Sequence, residues 1–134
     1  MIRKMILSAG LGAAIIGLLA PSAQAVTEGP FSDTVSCDAT ITDTLKTFSQ
    51  PTQGGLTFNK VSDEDGGFAE VVWALSSNGN SVGKKTVSPG NPVSWSGVLP
   101  SNYTFKIHPS TSHNCNSILP GDGNTTLTYK VSHT

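Results

Sequence analysis

The chain has 134 residues, of which 13% are charged and 37% hydrophobic, and its formal net charge is −1. Arg3 is its only arginine, so the rest of the chain lacks the guanidinium that best reads phosphate and guanine edges. A weakly acidic chain of this kind argues against nucleic acid and anionic lipid as partners.

Met1 to Ala25 has the three parts of a secretory leader. Arg3 and Lys4 supply positive charge, Met5 to Ala20 is apolar and rich in small residues, and Pro21 precedes an Ala23-Gln24-Ala25 cleavage site. The apolar run is shorter than the ~20 residues a membrane span needs. Cleavage is therefore expected after Ala25, leaving one secreted domain, residues 26–134, with no membrane attachment. The leader resembles those of high-GC Gram-positive bacteria, which implies a bacterial protein. The domain holds six lysines against nine carboxylates, a formal charge of −3. Its cysteines are Cys37 and Cys115. Behind a leader the expected state is one disulfide between them, with two buried thiols as the alternative.

Taken in order, Val26 to Ser32 contains Gly29-Pro30 and is expected to fray. Val35, Cys37, Ala39 and Ile41 then alternate with polar residues and predict a first strand facing the core. Within it, Thr40, Thr42 and Thr44 fall on one wet face, which threonine favours. Leu45 to Gly55 carries Pro51 and Gly54-Gly55 and reads as a connection. A short strand from Gly55 to Val61 follows, and then an acidic turn, Ser62 to Gly67. Phe68 to Leu75 is predicted to be a central strand with Ala69, Val71, Trp73 and Leu75 inward. Asn78-Gly79 marks a hairpin, with Val82 to Val87 returning as an edge strand that carries Lys84 and Lys85.

The clearest alternation runs from Val87 to Pro109. Val93, Trp95, Gly97 and Leu99 share one parity, Leu99-Pro100-Ser101-Asn102 turns, and Tyr103, Phe105 and Ile107 resume an inward face. Pro109 to Asn124 is a long irregular loop holding Cys115. The last strand, Thr125 to Ser132, points Leu127, Tyr129 and Val131 inward. The prediction is all-β: a single antiparallel two-sheet sandwich of about seven strands with one disulfide. The Leu-Pro-x-x-Tyr-x-Phe-x-Ile run from Leu99 to Ile107 resembles the turn and inner strand of immunoglobulin-like and fibronectin-like domains. That resemblance implies an immunoglobulin-like sandwich. Cys115, twelve residues after Tyr103, departs from the antibody spacing and leaves strand order open, with a jelly roll as the alternative.

Constellations for chemistry are few. His108, His113 and Cys115 lack a fourth ligand for zinc. Asp63, Glu64 and Asp65 lack the spread of a calcium loop, so no metal or cofactor is expected. No serine sits in a Gly-x-Ser-x-Gly elbow, and the expectation is a non-enzymatic protein. Trp73 and Trp95 both fall on inward parity and are expected in the core; facing water, either would form a platform for sugar stacking. The expected function is binding of an extracellular protein or a cell-wall glycan through loops that a rigid sandwich presents. The loop candidates are His113, Asn114, Asn116, Ile118 and Leu119, with Asp63 and Asp65 beside them. A structural or envelope-associated protein without a discrete ligand is the alternative, and a secreted hydrolase the weaker one.

Overall fold

The computed structural model describes residues 24–64, 66–115 and 121–134. The expected leader up to residue 23 lies outside that set, as do Asp65, Asn116, Ile118 and Leu119. Eight strands follow one another among the described residues: β1 (Val26–Ser36), β2 (Asp43–Gln50), β3 (Gly54–Asp63), β4 (Glu70–Ser76), β5 (Val82–Val87), β6 (Val93–Val98), β7 (Ser101–Pro109) and β8 (Asn124–His133). They form two four-stranded antiparallel sheets, ordered β1-β8-β3-β6 and β2-β7-β4-β5. The first strand thus pairs with the last and the second with the seventh, the order of a jelly roll. In immunoglobulin-like sandwiches the first two strands are neighbours in one sheet; here β1 and β2 lie in opposite sheets.

The core fills the space between the layers. Leu56 and Phe58 of β3, Tyr103, Phe105 and Ile107 of β7, and Leu127, Tyr129 and Val131 of β8 are all fully buried. Phe58 stacks on Tyr129 with centroids 5.1 Å apart and meets Phe105 at 5.2 Å. Each such side chain contributes roughly 1.5–3 kcal/mol by leaving water. Tyr103 opens an inner strand, and its hydroxyl donates to the Leu99 carbonyl at 2.5 Å, tying the β6–β7 turn to the core. Gly79 and Gly90 take positive φ where the two tight turns were expected.

Five local expectations are corrected. Val26 to Ser32 does not fray: β1 pairs with β8 from Val26↔His133 to Ser36↔Asn124, and Phe31 anchors it against Tyr129 and Phe48. The strand then stops at Ser36, because the Asp38 carboxylate accepts from the Thr40 amide at 2.9 Å and its hydroxyl at 2.8 Å, closing a turn. Ile41 is left 46% exposed, and the three threonines do not share a strand face. Leu45 to Gln50 is not a connection but most of β2; a register shift between Thr44 and Thr47 breaks its alternation and hides it.

The fourth correction matters most. β4 is inverted relative to its predicted parity: Glu70, Val72 and Ala74 are fully buried, whereas Leu75 is 43% exposed and Trp73 lies on the outer face. A strand apolar on both sides carries no parity signal of its own. Glu70, on the parity opposite Trp73, turns inward to meet Lys60. A smaller slip occurs at β6, where Gly97 has φ +63°. The bend brings Val98 into the core and leaves Leu99 46% exposed.

Candidate functional site

Two regions bring reactive or recognition-bearing side chains together. The first lies at the end of the sandwich where the two predicted loops meet. Cys37 and Cys115 are bonded there, with Cα atoms 6.1 Å apart, across 78 residues of sequence. The His113 amide donates to the Cys37 carbonyl at 3.2 Å, and the Gly121 amide donates to the His113 carbonyl at 3.0 Å. His113 packs its ring against Phe68, so the late loop meets the segment that follows the acidic turn. Both the amide and the hydroxyl of Ser110 donate to the Ala69 carbonyl at 3.1 Å, closing the same junction.

Of the predicted loop residues, Asn114 is exposed and His113 is half-buried. Asn116, Ile118, Leu119 and Asp65 lie outside the described residues. Asp63 does not present its carboxylate to solvent: its side chain is fully buried and sits 2.7 Å from Lys60 Nζ. The acidic turn is therefore not simply solvated. His113 lies within 4.8 Å of both cysteine sulfurs, but the sulfurs are spent in the disulfide and offer no thiolate. The buried Glu70 carboxyl is held above the usual carboxylate range by burial, against the pull of the Lys60 ammonium.

The second region is the outer face of the β2-β7-β4-β5 sheet, which sequence reasoning missed because it assigned Trp73 to the core. Trp73 stands half-buried on the solvent side. Lys84 of the edge strand places Nζ 4.6 Å from the Trp73 ring centroid, and His108 of β7 meets that ring edge-on at 5.6 Å. Lys106 is the direct cross-strand partner of Trp73, and its ammonium donates to the Thr44 hydroxyl at 2.6 Å. A hydroxyl pair, Thr47 and Thr104, lies alongside at 2.7 Å.

Beside this pair is a recess of about 290 Å³ bordered by Thr47, Leu75, Ser76, Asn102, Thr104 and Lys106. β4 has Glu70 as its only carboxylate, and that side chain points inward; β5 and β7 have none. Asp43, at the start of β2, is engaged by the Ser36 amide at 2.7 Å. The face therefore combines an indole, two ammonium groups, an imidazole and hydroxyls, and among the described residues of its four strands the carboxylates are Asp43, at its margin, and the inward Glu70. Such a set stacks on a sugar ring and attracts anions.

A further recess of about 370 Å³ opens between the edge strands β5 and β6 and includes Asn80, Lys85 and Trp95. Trp95 is only 8% exposed, as expected from its parity, and its indole N–H donates to the Gly83 carbonyl at 2.9 Å. It offers neither a free donor nor an open ring face.

No family model matches the chain, and no curated protein matches it. Among solved structures, one of infectious bursal disease virus, Gt strain, is similar over 90% of this chain and 36% of that chain, at 13% identity and a TM-score of 0.33. A likeness at that level carries no argument about this protein.

Proposed function

We propose that this is a secreted, non-enzymatic β-sandwich that binds an extracellular glycan bearing negative charge, through the outer face of the β2-β7-β4-β5 sheet. The observation that carries the reading is Trp73 on the solvent side between Lys84 and Lys106. An indole stacks on the apolar face of a pyranose, and the flanking ammonium groups favour carboxylate, sulfate or phosphate substituents on the sugar. The basic face stands out against a domain with more carboxylates than lysines. Within the sandwich class, the pairing of first strand with last supports a jelly-roll type; the Tyr103–Leu99 bond is the feature shared with the immunoglobulin-like corner.

Affinity electrophoresis through acidic and neutral polysaccharides tests the reading. The acidic polymer is expected to retard the protein, and the retardation is expected to weaken with salt. Trp73→Ala is expected to lose at least about tenfold in affinity, in line with the loss of one stacked ring. Equal mobility in both gels, or full retardation of the variant, would refute it and favour a structural or envelope role. A second reading, a protein partner held by the disulfide-braced loop, is favoured by exposed Asn114 beside buried Cys115. Under that reading, Asn114→Ala and not Trp73→Ala reduces capture of the partner.

A further inference from the structure

The fully buried charges at the loop end of the sandwich contain more chemistry than an ion pair requires. Lys60 reaches inward from β3, Asp63 from the last position of that strand, and Glu70 from the first position of β4. On a regular strand, residues three apart face opposite sides. Here the β3–β8 register shifts between Lys60 and Ser62, which turns Lys60 and Asp63 to the same side. All three side chains are fully buried.

Lys60 Nζ lies 2.7 Å from Asp63 Oδ2 and 2.8 Å from Glu70 Oε1. It also donates to the Phe68 carbonyl at 2.6 Å, and the Phe68 ring sits over it with its centroid at 4.5 Å. Glu70 Oε2 has no hydrogen-bond partner among the described residues. One ammonium therefore faces two carboxyl groups in a pocket roofed by Phe68. Two carboxylates and one ammonium would leave net negative charge in a low-dielectric site, which is costly. Converting the amine and one carboxyl into a neutral amide removes two of those charges together.

We propose that Lys60 and Asp63 condense into an intramolecular isopeptide bond, with Glu70 as the proton relay. Lys60 Nζ attacks Asp63 Cγ; the Nζ–Cγ bond forms and one Cγ–Oδ bond breaks. Of the three ammonium hydrogens, one stays on the amide nitrogen and two leave with the departing oxygen as water. Glu70 takes a proton from Nζ and passes it to that oxygen, ending in the state in which it began. No oxidant, metal or co-reactant is required. The fold holds amine and acid in contact, which supplies the proximity that the uncatalysed condensation lacks. Burial, which raises the affinity of the Glu70 carboxyl for a proton, suits it to the relay. The bond would close a ring within the end of β3, beside Phe68, whose ring meets His113 of the late loop.

Mass spectrometry of the protein expressed from the full sequence tests this. Between Lys46 and Lys84, Lys60 is the only site for trypsin. An amidated Lys60 is not cleaved, so the digest is expected to yield residues 47–84 as one peptide, lighter by one water. Fragmentation is expected to place the missing water on the Lys60–Asp63 pair. A cyclic imide at an aspartate also loses water but leaves trypsin free to cut after Lys60, so that product counts against the proposal. Separate peptides 47–60 and 61–84 at full mass overturn it outright and leave a buried ion cluster. Glu70→Gln is expected to restore cleavage after Lys60 while the Cys37–Cys115 bond still forms; an uncut, water-deficient peptide in that variant would remove Glu70 from the relay.

Discussion

Two tyrosines, Tyr103 and Tyr129, show how single groups in this molecule are set by burial. The Tyr129 side chain is fully buried, and its hydroxyl donates to Asp33 Oδ2 at 2.6 Å. Burial first, and then the neighbouring Asp33 carboxylate, push its ionisation well above the ordinary value of 10.0. Tyr103 is raised as well, by burial. These are the only tyrosines, so an ultraviolet pH titration of the native protein is expected to show phenolate forming at higher pH than in the denatured chain. The unfolded chain releases these protons first, so stability from this source is complete below about pH 10 and falls as pH rises toward the native values. Normal titration of both rings in the folded protein would contradict the burial. Tyr103→Phe, which removes the bond to Leu99, is expected to cost about 1 kcal/mol in denaturant unfolding. The two tryptophans separate in the same assay. Trp95→Ala is expected to cost about 3–5 kcal/mol, as for a large core side chain. Trp73→Ala should cost only about 1 kcal/mol, as is usual outside the core. Equal costs would mean that β4 presents the opposite face.

At the scale of elements, the disulfide and the loop it braces form one unit. Closing a loop of 78 residues gives at most about 4–5 kcal/mol in the chain-entropy model. Urea unfolding with and without reductant is expected to show a difference of that order, and a difference near zero would mean that the late loop does not depend on the bond. Gly123 closes the other side of the unit. It has φ +83°, and a Cβ there would collide with the Cys115 carbonyl oxygen; its own carbonyl accepts from the Cys37 amide at 3.2 Å. Gly123→Ala is therefore expected to destabilise by roughly 1–3 kcal/mol, the scale of strained backbone, with slower oxidation of Cys37 and Cys115 on refolding.

For the whole molecule, the decisive pairing joins chain ends. β8 sits between β1 and β3 and hydrogen-bonds to both. Deleting residues 124–133 would strip two strands of their partner and open the core at Leu127, Tyr129 and Val131. The truncated chain is expected to lose its near-ultraviolet circular dichroism; a native spectrum would show that the second sheet folds without β8. Pairing of the first strand with the last also makes folding contacts non-local. Refolding is expected on the millisecond-to-second scale typical of such sandwiches, as measured by Trp95 fluorescence.

The sequence alone determined the layered class, the turns at Asn78-Gly79 and Pro89-Gly90, a turn at Leu99-Pro100 shorter than the expected one because Ser101 and Asn102 already pair with β2, the bond between Cys37 and Cys115, and the buried faces of β7 and β8. Those features rest on local chemistry: a period of two with polar residues on the alternate side, glycines where φ must be positive, and two cysteines with no other partner. The strand order, the direction of β4 and the solvent-facing position of Trp73 were decided by tertiary contact. Where both sides of a strand are apolar, periodicity does not say which side meets the other sheet. Here the answer depends on Glu70 finding Lys60, and on a register shift that brings Asp63 to the same side. Charges that meet only after distant strands pair, like a first strand that finds its partner at the far end of the chain, leave no periodic mark along the sequence.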